Sequence, residues 1–190
     1  MEEEDLARHK KKALKEGRTL VFVDESGLSQ RPHRVRTWAP RGQTPVLQYC
    51  FNWKNLSAAA GLTVRKFYFR LYPGAIKKEQ VLDFLKALVR HLPGSLFLVW
   101  DRLPGHRSRL VQDYIDSLGG WIHQEFLPPY APELNPVEYI WGYWKQHELP
   151  NVCPKDYWQL SEGARRTLRR MRRRPRLIAA FWKQSSLWSE

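Results

Sequence analysis

Cysteine is scarce. Only Cys50 and Cys153 occur in 190 residues, far apart and with no His or Cys at zinc-ligand spacing, which excludes a disulfide framework and a structural zinc knuckle and fits a reducing cytoplasm. Long uncharged runs are also missing. No stretch reaches the 18 residues or so that a membrane-spanning helix needs, and the opening MEEEDLARHKKKALKEG is too polar for a signal peptide. The chain is expected to be soluble and not exported. There is no internal repeat, and the only low-complexity piece is a run of arginines. Acid is in short supply: 19 Asp and Glu stand against 32 Lys and Arg, a formal charge of +13. That field predicts a polyanionic partner, nucleic acid first and an anionic membrane surface second.

What is present is a single-domain length with 43% hydrophobic residues and nine tryptophans, enough to bury a core. Residues 1–18 read as a short surface helix or linker, 19–149 as the folded body and 150–190 as a basic helical extension. TLVFVD, Thr19 to Asp24, is a continuous apolar run ending in an acid, as in a strand covered on both faces, with Glu25-Ser26-Gly27 turning the chain out. Arg34 to Trp38 and Val46 to Phe51 suggest a hairpin around a long loop, and Leu56 to Thr63 and Lys66 to Tyr72 are extended. Helical spacing then takes over from Lys77 to Leu92, stopped by Pro93-Gly94. LFLVW, Leu96 to Trp100, is a second apolar run that delivers an acid, Asp101. A helix from about His106, a strand from Trp121 to Leu127, a helix from Asp156 to Met171 and another from Leu177 to Trp188 complete the pattern. The expected class is α/β, a mixed sheet of about five strands, three antiparallel and then parallel ones, flanked by helices.

FLPPYAPELNPVEYIWGYWKQ, Phe126 to Gln146, carries the next candidate acid. Asn135 suits an N-cap, Pro136 the first helical position, and Glu138 the third place of a capping box. A purely structural role for Glu138 is therefore available. The alternative is a carboxylate held rigidly at a helix start. Helical connections imply that the strands bearing Asp24 and Asp101 run parallel, so both acids leave at C-terminal edges, where open α/β sheets gather their sites. If they are neighbours, Glu138 can reach the same rim and the three carboxyl groups should converge within roughly 4 to 8 Å. Three acids in so basic a protein suit hard divalent cations and phosphoryl transfer.

VFVDES, FLVWDRLPGHRS and LPPYAPELNPVEYIW, in that order, together with RTWAPRGQTPV at Arg36 to Val46, resemble the catalytic motifs of DDE transposases, specifically the bacterial insertion-sequence branch of the mariner-like superfamily. The resemblance spans Thr19 to Gln146. It implies an RNase H-like fold in which Asp24, Asp101 and Glu138 bind two ions of Mg²⁺ or Mn²⁺, cleave DNA at transposon ends and drive strand transfer into target DNA at TA dinucleotides. Two departures stand out: Arg102 occupies a position where members often carry Asn or Gly, and only about 18 residues precede the first strand, where the family usually has helix-turn-helix domains. The expected partners are transposon-end and target DNA, a separate helix-turn-helix end-recognition protein and a second copy of the chain, without a membrane, in the cytoplasm at the nucleoid. Two alternatives are an inactive DNA-binding remnant and a general RNase H-like nuclease on RNA–DNA hybrids.

Further residues divide by role. Glu25 should point to the face opposite Asp24 and serve a turn or solvated role, and Glu133 ranks behind Glu138 because a loop acid is less rigidly placed. Asn135 is a cap that also reaches the site's surroundings, and Trp141 and Trp144 belong to the core. Arg102, His106 and Arg107 follow Asp101 as candidate phosphate contacts, with His106 alternatively orienting an acid. Arg165, Arg166, Arg169, Arg170, Arg172 and Arg173, with Arg174 and Arg176, have no acid among them and suit sequence-independent contact with a DNA backbone.

Overall fold

The computed structural model describes residues 11–13, 15–49, 54–129 and 131–185. A five-stranded sheet is built from β1 (Thr19–Ser29), β2 (Asn55–Leu62), β3 (Phe67–Pro73), β4 (Leu96–Trp100) and β5 (Ile122–Phe126). Their order is β3-β2-β1-β4-β5. β1, β2 and β3 pair antiparallel, whereas β4 runs parallel to β1, and β5 to β4. The helices are α1 (Lys78–His91), α2 (Arg109–Ser117), α3 (Pro136–Tyr143), α4 (Tyr157–Arg172) and α5 (Pro175–Gln184).

The apolar runs are continuous because each strand feeds two cores. Alternation along β1 sends Leu20 and Phe22 to the side of α3, α4 and α5, and sends Val21 and Val23 to the side of α1 and α2. β4 divides likewise, with Phe97 and Val99 on the first side and Leu96, Leu98 and Trp100 on the second. On the second side α1 buries Val81, Phe84, Leu85 and Leu88. On the first, α4 contributes Leu160, Ala164, Leu168 and Met171, and α5 contributes Ile178, Phe181 and Trp182. Trp182 meets Phe22 edge to face at 5.4 Å, so residues beyond 150 are part of the same core as β1.

Four local expectations are corrected. Glu25-Ser26-Gly27 does not turn the chain: β1 continues to Ser29 because β2 offers a ladder for it, pairing Glu25 with Ala59 and Gly27 with Ser57. Arg34 to Trp38 and Val46 to Tyr49 form no hairpin, and Cys50 and Phe51 lie outside the described residues. That segment has no face to bury, since Trp38 is 99% exposed, and it is clipped instead to the loop before α4 through Asn151, whose amide brackets the Val35 backbone. The helix expected from His106 starts at Arg109, because residues 103–106 form a turn whose histidine is committed elsewhere. The last helix ends at Gln184, with Trp188 outside the described residues.

Candidate active site at the carboxyl ends of the parallel strands

The parallel pairing of β1 and β4 matches Phe22 with Val99. Asp24 and Asp101 each follow two residues later, so the register brings both acids to the same edge of adjacent strands. Asp24 also faces Ala60, and Ala60 faces Phe69, in one row across the sheet.

Asp24 is buried on the side covered by α3, where Trp141 Nε1 donates to its Oδ2 at 2.8 Å. Burial, followed by the charges of Glu138 and Glu25, pushes its pKa up to about 8, against the Trp141 bond and the Glu25 backbone N–H. Asp101 is half-buried and behaves oppositely. Burial would raise it, but the bonds from His106 and the Leu103 N–H and the charge of His106 hold it below the usual carboxylate range. Both contacts are made through Oδ1, at 2.7 Å from His106 Nδ1 and 3.0 Å from Leu103 N, which leaves Oδ2 for a ligand. Glu138 sits in the first turn of α3 with an exposed side chain, and burial of its surroundings, with Asp101 adding and Lys145 opposing, raises its pKa.

Glu138 is not consumed by capping. Asn135 caps α3 by accepting from Val137 N at 3.1 Å, but its own N–H is committed to Pro132 O at 2.9 Å. The reciprocal half of the capping box is thereby closed to Glu138. Glu133 lies in the short 3₁₀ turn Pro132–Leu134 and is exposed.

His106 requires a correction: it is 1% exposed and cannot touch a phosphate. Its Nε2 lies 2.9 Å from Glu25 Oε1, and its ring stacks on Trp100 at 4.3 Å. Burial would lower its pKa, but the bonds to Asp101 and Glu25, then their charges, push it up to about 10, so it bridges two carboxylates as an imidazolium. Glu25 does point away from Asp24's face, as alternation requires, but into this buried pair and not into solvent. A cavity of about 590 Å³ opens beside Glu25 and His106, walled by Lys77, Val81 and Pro104.

The arginines also divide. Arg170 pairs with Glu148, whose side chain is only 4% exposed, and Arg174 reaches the same carboxylate at 3.5 Å. Arg170 is thus an internal counter-ion, and acids absent from the arginine run in sequence arrive from another element. Arg165 lies 3.5 Å from Glu162. Arg172 covers the Phe69 ring at 5.5 Å, and Arg102 turns onto the Phe126 ring at 5.6 Å. Arg107, Arg166, Arg169 and Arg173 are exposed.

The acids meet pairwise, not as a closed cage. Asp24 feels Glu138 and Glu138 feels Asp101, yet among the described residues no three His, Cys, Asp or Glu side chains gather closely enough to hold a metal ion. Each aspartate has one oxygen held by a neighbour, Trp141 for Asp24 and His106 for Asp101. The donor chemistry nonetheless fits a hard divalent cation. All three groups are carboxylates, and the repulsion from Glu138 and Glu25 that adds to burial in lifting Asp24 is one a cation would relieve. Sequence reasoning missed Trp141 as a partner of Asp24, although its position three residues after Glu138 was a usable signal. It also missed Glu25.

Comparison with known proteins shows the family and the fold. A family model described as DDE superfamily endonuclease matches residues 19–161. A Mos1 transposase paired-end complex with left transposon end superposes with a TM-score of 0.66 at 21% identity, over 96% of this chain and 55% of that one. The Mos1 mariner paired end complex with Mn gives 0.58 at 19%, over 100% and 63%, and the catalytic domain of Mos1 mariner transposase gives 0.53 at 17%, over 100% and 96%. The fold is therefore RNase H-like, and the chain spans about half to two thirds of the longer Mos1 chains. No curated protein matches.

Proposed function

Because the chain belongs to the DDE superfamily of endonucleases, we propose that it is the catalytic domain of a transposase of the mariner-like superfamily, in its bacterial insertion-sequence branch, cutting DNA at transposon ends and joining the freed ends to target DNA. The observation that carries this reading is the register of Asp24 and Asp101 at the ends of adjacent parallel strands, with Glu138 electrostatically coupled to both across the site.

Asp24, Asp101 and Glu138 are the residues that would hold the metal. Two Mg²⁺ or Mn²⁺ ions, when bound, supply charge stabilisation to the attacking and leaving oxygens of an in-line phosphoryl displacement. Trp141 anchors Asp24 by one oxygen, His106 and the Leu103 N–H anchor Asp101 by one oxygen, and Asn135 fixes the helix start from which Glu138 projects. Arg102 leans on Phe126 and away from any pairing with Asp101 among the described residues, which favours an active enzyme over an inactive remnant.

DNA contacts are assigned to Arg102, Arg107, Arg165, Arg166, Arg169, Arg172 and Arg173. Arg172 supports this best, since it covers Phe69 in the row that leads across the sheet to Asp24. Target choice at TA, a homodimeric assembly, a separate helix-turn-helix protein for end recognition and action at the nucleoid complete the proposal. No helix among the described residues is long and apolar enough to cross a membrane.

The test is incubation with Mg²⁺ or Mn²⁺ and DNA carrying the element's ends, beside Asp24→Asn, Asp101→Asn and Glu138→Gln. Nicking and joining are expected from the parent alone, and nicking that survives all three substitutions sinks the assignment. Sequencing the joints reads the TA preference.

A further inference from the structure

We propose that His106, braced by Glu25, is a positioning residue that ties the tips of β1 and β4 together and sets Asp101 for its metal. The inference rests on the metal-site reading above.

The described pairing of β1 with β4 ends at Phe22 and Val99. Asp24 and Asp101 lie two residues further on, where this ladder no longer fixes their separation. His106 supplies a join at that level. Its Nε2 meets Glu25 Oε1 at 2.9 Å and its Nδ1 meets Asp101 Oδ1 at 2.7 Å. Glu25 directly follows Asp24, and Asp101 directly follows Trp100, on which the His106 ring lies at 4.3 Å with a 10° angle between planes. Plane and both edges of the ring are therefore set by the two strands it connects. Gln112 Nε2 donates to the His106 carbonyl at 2.8 Å and holds the loop from α2.

The consequence for Asp101 is orientational. A carboxylate whose Oδ1 receives two donors has lost its freedom to rotate before any ligand arrives, so a cation at Oδ2 does not have to order it. Glu25 carries a cost that packing alone does not explain: its Oε2 is buried with no hydrogen-bond partner among the described residues. Such a burden is accepted where the other oxygen has a task, here holding His106 Nε2.

Mn²⁺ titration of the full chain without DNA, followed by electron paramagnetic resonance, tests this apart from catalysis. The parent should bind saturably and Asp101→Asn weakly; no saturable binding by the parent overturns the metal-site reading and this proposal together. His106→Gln offers its amide toward Glu25 but not toward Asp101, and should weaken Mn²⁺ about ten- to a hundredfold. His106→Asn, whose amide nitrogen falls near the place of Nδ1 but which gives up the Glu25 brace, should bind about threefold or more tighter than His106→Gln, a partial rescue that a merely structural histidine would not give. A parent that binds while His106→Gln binds equally well overturns the positioning role alone. Should circular dichroism show His106→Gln unfolded, Glu25→Gln replaces it: weakening by about threefold or more supports the role, and parent-like affinity overturns it.

Discussion

Trp141 Nε1 donates to Asp24 Oδ2 at 2.8 Å across 117 residues of sequence, and the bond is buried. It fixes the strand acid to the helix that carries Glu138, three residues earlier in α3. Trp141→Phe keeps most of the ring's packing and removes the donor. A loss of roughly 1–3 kcal/mol is expected from leaving a buried carboxylate short of a partner, read by urea unfolding, together with slower end cleavage.

Asp24 gives a pH dependence with a definite sign. Its folded pKa of about 8 lies above the ordinary 3.8, so the folded state holds this proton more tightly than the unfolded one. The associated stability is fully present below about pH 4 and is lost as pH rises to about 8. In metal-free protein Asp24→Asn should remove this dependence and stabilise the fold at pH 8 by on the order of 1–3 kcal/mol, while abolishing cleavage. Thermal unfolding from pH 5 to 9 in a chelator measures it; a variant no more stable than the parent at pH 8 contradicts the burial argument.

Asn135→Ala removes the cap on Val137 N and should cost about 1 kcal/mol. Asn135→Asp restores an acceptor and should recover most of it. Because Glu138 begins one turn from this cap, cleavage by the Ala variant should fall further than its stability loss explains when assayed well below its Tm.

The arginines of α4 and of the residue that caps it, Arg173, should separate into two groups. Arg166→Ala, Arg169→Ala and Arg173→Ala remove exposed charges, so together they should weaken DNA binding and flatten its salt dependence by about one unit of slope for each phosphate no longer neutralised, with little change in Tm. Arg170→Ala deprives buried Glu148 of its nearest cation and should cost roughly 1–3 kcal/mol, with Arg174 limiting the damage. Filter binding across a salt series beside thermal melts distinguishes the groups.

The sequence by itself determined the elements and the acids they deliver. Val21 to Val23 and Leu96 to Trp100 are apolar throughout because both faces are covered, and that pattern is local enough to read, as is the exit of each run into Asp24 or Asp101. Alternation even assigned Glu25 to the correct face. What alternation does not contain is the partner waiting there: His106 lies 81 residues away and reaches Glu25 only after β1 and β4 have paired and the 103–106 turn has closed. The same holds for Trp141, legible as a core tryptophan but made a hydrogen-bond donor to Asp24 by the packing of α3 on β1. The apparent turn at Glu25-Ser26-Gly27 became strand because β2 supplied a ladder, and the uninterrupted arginine run acquired Glu148 from outside it. Periodicity and turn chemistry act over a few residues and survive in the linear sequence. Pairing of charges, completion of ladders and the orientation of Asp101 depend on distant segments meeting, so tertiary structure alone decided them.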